Sequence, residues 1–445
     1  MDELLNQLSD DAKDFWMPKK ISRIPPPTAV EFYRDYVSKN IPVIITNAIN
    51  HWPALQKWTD EYFDEAIGNE IVTVDVTPTG YGDAVLTLEN KKTQVFVQPE
   101  ERNMTFSKFL EIYHDKQFDG VPYLSHQNDS LREQFPQLVH DVDRVIDFSA
   151  EAFGNMPEAV NLWIGDDRAV STMHKDHYEN MYCVVRGLKH FILLPPSDVA
   201  FLHETEYPTT RYVHKSNVDQ FDPSTLIQSK NPNWFIHMPP EGRETTPWIP
   251  VDPVAIDTDK FPKAKHIQPL EVVLEEGEML YLPSLWYHRA TQLCDTVSVN
   301  YWHDMEFDAK YVYFNFLHVT TTVHGGHNGI FIFNSMASAK LYETMVSYKS
   351  SFTPPKPVEQ VWNFSPPVHP RILKHQILRK VPPTSNTPIP TIAVPGARKV
   401  VEAPKTMPSY QSKVGLLELR RQVEERLAQD RNEDLQGRTE WWKQQ

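Results

Sequence analysis

Cysteine is nearly missing from this chain: Cys183 and Cys294 are the only two in 445 residues. Two thiols cannot build a disulfide framework or a cysteine zinc site. The protein is therefore expected to be intracellular and reduced, in the cytoplasm, with the nucleus open as a second location. No run approaches the ~18 consecutive apolar residues that cross a bilayer, so no membrane partner is expected. The first eleven residues are acidic and place no basic region ahead of an apolar one, so no secretory signal is read there. Positive charge is also short, with 44 Lys and Arg against 59 Asp and Glu and a net charge of −15. The deficit is uneven: residues 351–445 hold 15 Lys and Arg against 9 Asp and Glu, which leaves the preceding 350 residues at −21. An acidic body argues against direct nucleic-acid binding, because phosphate contacts need Lys and Arg. It suits a basic peptide or protein substrate. No His-Glu-x-x-His helix is present, and His203-Glu-Thr-Glu-Tyr does not fit one, which weighs against a zinc peptidase.

What is present is a globular composition, 40% hydrophobic and 11% aromatic, followed by a proline-rich tail. Residues 351–445 carry 13 of the 37 prolines, in runs such as Thr353-Pro-Pro-Lys-Pro and Val381-Pro-Pro-Thr. Such density removes backbone donors and fixes φ, so the tail is expected to be disordered. The exception is one charged amphipathic helix at about 411–436, carrying Leu416, Leu417, Leu419, Val423 and Leu427. Upstream, residues 2–16 place Leu4, Leu5, Leu8, Ala12, Phe15 and Trp16 at helical spacing. A strand candidate covers 41–46, and a short helix carrying Trp58 and Phe63 follows. Residues 71–76 alternate, with Val72, Val74 and Val76 on one apolar face. Thr105 can cap a helix whose Phe106, Phe109, Leu110 and Tyr113 share a face. From about 160 to 305 short apolar runs alternate with Gly and Pro, which predicts a mainly β fold, sandwich or barrel, with flanking helices. The expected organisation is 1–155 as a helical and β region packing on the barrel and 156–320 as the barrel core. A flank at 321–350 and the tail at 351–445 complete it.

The chemistry concentrates in two stretches. Ser171-Thr-Met-His-Lys-Asp contains His174 and Asp176, two residues apart, and side chains at that spacing on a strand share a face. Glu276-Gly-Glu-Met-Leu-Tyr-Leu-Pro-Ser-Leu-Trp-Tyr-His288 turns at Gly277 into an apolar strand that Pro283 ends, just before a second histidine. Two histidines and one carboxylate on one face of an octahedron, with open positions, mark non-haem Fe(II) oxygenases. His174, Asp176 and His288 are thus the candidate catalytic and metal-binding residues, whereas His177 is read as a histidine that supports the ligands from behind or simply packs. Lys189 follows an Arg186-Gly187-Leu188 reversal and lies inside an apolar strand, where its ammonium can pair with a dicarboxylate as a buried point charge.

On these residues the chain resembles the jumonji-C (JmjC) oxygenases, and within them a lysyl-hydroxylase subgroup, over residues 12 to 320. The resemblance includes Pro42-Val-Ile-Ile, Trp52-Pro-Ala and Val74-Asp-Val-Thr-Pro-Thr-Gly-Tyr-Gly-Asp-Ala-Val. It continues through Pro247-Trp-Ile-Pro-Val-Asp-Pro and Val299-Asn-Tyr-Trp-His-Asp-Met-Glu-Phe-Asp. It implies a double-stranded β-helix (a cupin-like jelly roll) that uses Fe(II), 2-oxoglutarate and O2. It also implies cosubstrate contacts from Lys189, Tyr123 and a hydroxyl at Ser171 or its neighbour Thr172, and a place for Asn180 and Asn300 beside the cosubstrate and metal. The implied activity is C3 hydroxylation of a lysyl side chain in a protein substrate, with developmentally regulated GTP-binding proteins as the family's targets. Asp176 favours hydroxylation over halogenation, which needs that position vacant. Asp304 and Glu306 are candidates for seating the lysine. N-methyl-lysine demethylation, a histone-tail peptidase and a non-catalytic scaffold are the alternatives, and a homodimer is left open.

Overall fold

The computed structural model describes residues 2–88, 93–239 and 244–323. The proline-rich tail, its expected helix and nearly all of the 321–350 flank lie outside the described residues. No described helix is long and apolar enough to cross a membrane.

Eight strands alternate between two sheets and close a jelly roll. Ala159–Gly165, Tyr178–Arg186, Met279–Leu282 and Thr296–Asp304 lie in a six-stranded sheet. Val170–Lys175, Leu188–Leu194, Leu270–Glu275 and Tyr287–Gln292 lie in a five-stranded sheet. Such alternation makes a double-stranded β-helix, the fold the resemblance implies. The large sheet is extended by two strands from the N-terminal region: Val43–Ile45 pairs antiparallel with Met279–Leu282, and Ser22–Ile24 runs parallel to it. Residues 1–155 therefore do more than pack on the barrel, because part of them completes its sheet.

Both faces of the large sheet are covered, and this explains the continuous apolar reading of its central strand. On Tyr178–Arg186, Met181, Cys183 and Val185 join a core with Phe32, Trp52, Phe63, Phe106 and Phe109 from the N-terminal elements. The alternate residues Tyr182 and Val184 join Phe191, Leu193, Leu274 and Leu280 between the two sheets. Each fully buried side chain of this size contributes roughly 1.5–3 kcal/mol, so the two cores hold the barrel without cross-links.

Several local expectations hold. Val72, Val74 and Val76 are buried along Ile71–Thr77, and Thr105 caps Phe106–His114 by accepting a hydrogen bond from the Lys108 amide. Two expectations are revised. The single short helix is two, Ala54–Lys57 and Asp60–Ile67, because Trp58 leaves helical geometry between them to bury its ring and donate to Asp141. The helix Asp2–Phe15 buries a narrower stripe than its pattern predicts, since Phe15 is 86% exposed and Leu4 69%. Its buried Ser9 instead donates to Asp198.

A long insertion between Leu188–Leu194 and Leu270–Glu275 carries Thr205–His214, which pairs with Gln94–Gln98 and, at its near end, with Thr245–Trp248. That last pairing delivers Trp248 to the barrel mouth. Gly187 makes the reversal between the strands bearing Asn180 and Lys189. Its φ of +86 is left-handed, and an added Cβ would lie 2.4 Å from the Asp295 carbonyl oxygen. A backbone oxygen cannot swing away, so Gly187→Ala should cost about 1–3 kcal/mol. Urea denaturation measures this, and an unchanged midpoint would mean that the turn can rebuild.

Candidate metal centre

The three expected ligands meet at the barrel mouth. His174 and His288 face each other across antiparallel neighbours, with ring centroids 4.2 Å apart. The strand ends at Lys175, so Asp176 is the first residue past it, not its last member. It is held by its carbonyl, which accepts from the Leu285 amide at 2.9 Å. Leu285 is buried with a φ of +69, a left-handed conformation that costs a branched residue about 1–2 kcal/mol. The strain sits in the turn that joins Asp176 to the strand of His288. A bulge between Ser171 and His174 further re-aims the ligand strand.

Asp176 Oδ2 lies 3.9 Å from His174 Nε2 and 3.6 Å from His288 Nε2, and all three donor atoms lie within 4.8 Å of one another. Each imidazole donates from Nδ1 to a carbonyl, His174 to Thr172 at 2.7 Å and His288 to Trp286 at 3.1 Å. A carbonyl only accepts, so both Nε2 lone pairs are left for the centre. Burial, then the neighbouring His174, pushes the His288 imidazole down to about 4, which keeps it neutral and able to ligate. This donor set fits a divalent first-row metal.

The triad opens into a cavity of about 360 Å³ lined by all nine of the metal and cosubstrate candidates. Lys189 reaches it from Leu188–Leu194, 1% exposed, with its Nζ donating to the Tyr123 hydroxyl at 3.0 Å. Burial alone lowers an ammonium's pKa, but the oxygens of Tyr123 and Tyr182 more than offset that and hold Lys189 above the ordinary lysine range. Among the described residues no carboxylate lies within ion-pair distance of it. The Asn300 side chain accepts from Trp163 Nε1 at 2.7 Å and donates to Asn180 Oδ1 at 3.1 Å. This chain orients the Asn180 amide and leaves its N–H groups unused by the protein. The two candidate hydroxyls differ in their bonding. Thr172 Oγ1 donates to the Asp83 carbonyl and accepts from Trp248 Nε1, whereas Ser171 has no side-chain partner among the described residues.

His177 is exposed and packs its ring against Phe307 and Tyr311, as a packing histidine should. Asp304 and Glu306 are exposed and outside the cavity. Asp304 instead bonds Glu158, and that contact together with burial pushes the Glu158 carboxyl up to about 7. Besides Asp176, the carboxylates that line the cavity are Asp75 and Asp83, which the sequence did not single out. Burial pushes each up to about 6. The alternation of 71–76 offered a signal, since it places Asp75 opposite the apolar face. Trp248, stacked on His174 at 5.9 Å, was likewise missed as a site residue.

Comparison with known proteins agrees with this geometry. Residues 29–309 match the cupin-like domain family. JmjC domain-containing protein E of Dictyostelium discoideum is 39% identical over 341 residues, covering 72% of this chain and 94% of the relative. The human bifunctional peptidase and (3S)-lysyl hydroxylase JMJD7 is 42% identical over 301 residues, covering 67% and 89%. The lysine-specific demethylase JMJ32 of Arabidopsis thaliana is 37% identical over 327 residues, covering 70% and 90%.

The Tyr123 and Tyr182 oxygens already hold the Lys189 charge, so replacing the ammonium by a methyl thioether of similar shape removes the anion's partner more than it changes the fold. Lys189→Met is therefore expected to leave the melting temperature of the ligand-free protein within a few degrees of the wild type while abolishing stabilisation by added 2-oxoglutarate. Thermal melts with and without the dicarboxylate measure both, and a variant still stabilised by it would remove Lys189 from the anion site.

Proposed function

This chain belongs to the cupin-like JmjC oxygenases, 2-oxoglutarate-dependent dioxygenases, and we propose that it hydroxylates a lysyl side chain of a protein substrate at C3. The oxygenases of this family use Fe(II) and 2-oxoglutarate. The observation that carries the proposal is one cavity holding a two-histidine, one-carboxylate triad and a buried, unpaired ammonium. The lysyl specificity is supported by the human relative, whose name gives it as a (3S)-lysyl hydroxylase.

In this reading His174, Asp176 and His288 hold the iron. Lys189 and the Tyr123 hydroxyl take the distal carboxylate of 2-oxoglutarate, with the free Ser171 hydroxyl as third contact. Asn180, aligned by Asn300, offers its N–H groups to the other end. Ferrous iron with 2-oxoglutarate and O2 supplies the oxidant for an unactivated C–H bond, with succinate and CO2 as by-products. The protein's part is positional: Thr172 and Trp286 carbonyls fix the imidazole tautomers, and Trp248 walls one side of His174. The acidic body suits a basic segment of the substrate, and a developmentally regulated GTP-binding protein is the target the resemblance nominates.

N-methyl-lysine demethylation is a second reading, favoured by the plant relative's name. Mass spectrometry of lysine and N-methyl-lysine peptides incubated with the iron-loaded enzyme separates the two. The proposal expects a gain of one oxygen on unmethylated lysine, coupled to succinate release and abolished by His174→Ala. Loss of a methyl group with no oxygen retained would replace hydroxylation by demethylation.

A further inference from the structure

The cavity has a second electrostatic feature that the cosubstrate does not use. Asp83 and Asp75 line its wall, and among the described residues neither has a Lys or Arg within ion-pair distance. Arg211 and His126 influence Asp75 only from further away, and its one side-chain bond is from the Ser125 hydroxyl. The Asp83 carboxylate accepts no hydrogen bond from the described residues, and its main perturbations are burial and the charge of Asp75. Lys175, the other lysine of the cavity, is already occupied by both oxygens of Glu204 at 2.9 Å.

Asp83 is also held in place. Its φ is +51, a left-handed conformation that aspartate tolerates better than most residues. The Thr172 hydroxyl pins its carbonyl, and Trp248 pins Thr172. The preceding Gly82 pairs with Ser171 on the ligand strand. A strained backbone tied to the ligand strand, presenting an unpartnered carboxylate to the cavity, is a feature that a structural role alone does not require. Trp248, Trp302 and Pro99 line the same cavity and offer apolar faces. Carboxylate ends beside aromatic walls match a primary ammonium at the end of an aliphatic stem.

We propose that Asp83, backed by Asp75, is the counter-ion for the substrate's lysyl ammonium and selects a charged side chain over a neutral one of the same length. The inference rests on the lysyl reading above and gives that reading its specificity group. Guest and host answer each other: the ammonium restores full ionisation to carboxylates that burial disfavours, and the carboxylates repay its desolvation. It also moves the seat of the substrate lysine from Asp304 and Glu306 at the surface to the cavity wall.

The test compares kcat/KM for short peptides centred on lysine with the same peptides carrying 2-aminoheptanoic acid, whose terminal methyl replaces the ammonium at equal length, read as oxygen incorporation by mass spectrometry. The wild type is expected to favour lysine by roughly ten- to a hundredfold, the range of a charge-assisted hydrogen bond. Asp83→Asn should bring that ratio close to one, Asp75→Asn should narrow it less, and Asp83→Glu should restore most of it. General damage to the site lowers both peptides together and leaves the ratio intact. An unchanged ratio in Asp83→Asn overturns the inference while lysyl hydroxylation stands. A wild type that oxidises none of the lysine peptides overturns the lysyl reading, and the inference with it.

Discussion

An ammonium buried among aromatic rings, with no carboxylate beside it among the described residues, is the constraint around which this molecule is organised. Stripping water from such a charge costs several kcal/mol even after the protein relaxes. The Tyr123 hydroxyl and the ring faces of Tyr123 and Tyr182, 5.4 and 5.5 Å away, offset that cost and keep the group charged. With no carboxylate in ion-pair distance among the described residues, the charge stays available to an anion. Since the same cavity ends at two imidazole Nε2 atoms and a carboxylate, the anion that answers Lys189 can also reach a metal. A dicarboxylate with a chelating end satisfies both demands in one molecule. The fold makes the arrangement durable, because the strand of Lys189 lies against the strand of His288 in one sheet.

Charge in the cavity is segregated. One end holds the Lys189 ammonium, and the wall near the His174 strand holds carboxylates that have no cation within ion-pair distance among the described residues. Opposite charges kept apart in a low-dielectric enclosure do not neutralise each other, so each stays available to a guest. Trp248 and Thr172 carry much of this separation. Together they fix the Asp83 backbone, and Trp248 covers one side of His174. The insertion after Leu188–Leu194 is thus part of the site, since its strand Thr245–Trp248 brings that indole to the mouth.

The strands and the candidate His174, Asp176 and His288 triad were legible because they depend on short-range rules. Alternation revealed the buried valines of Ile71–Thr77, and a Thr followed by clustered aromatics revealed the capped helix Phe106–His114. The two-residue spacing of His174 and Asp176 and the Gly277 turn placed the ligands before any contact was known. Trp58 was misread because a tertiary hydrogen bond to Asp141, distant in sequence, overrode a local helical pattern. Asp304 looked suited to bind a cation only while the side chain of Glu158 was out of view.

By itself the sequence determined the residue types of the candidate triad, the two-residue spacing of His174 and Asp176 and the presence of a lysine inside an apolar strand. Those features follow from residue chemistry and from the twofold repeat of an extended chain. Only the tertiary structure decided which hydroxyl stays free, since Thr172 is consumed by Asp83, 89 residues away, and by Trp248, 76 residues away. It alone also revealed the carboxylates of the cavity wall. Contacts of that kind depend on how separate sheets are registered and brought together, and a linear pattern carries no record of that registration.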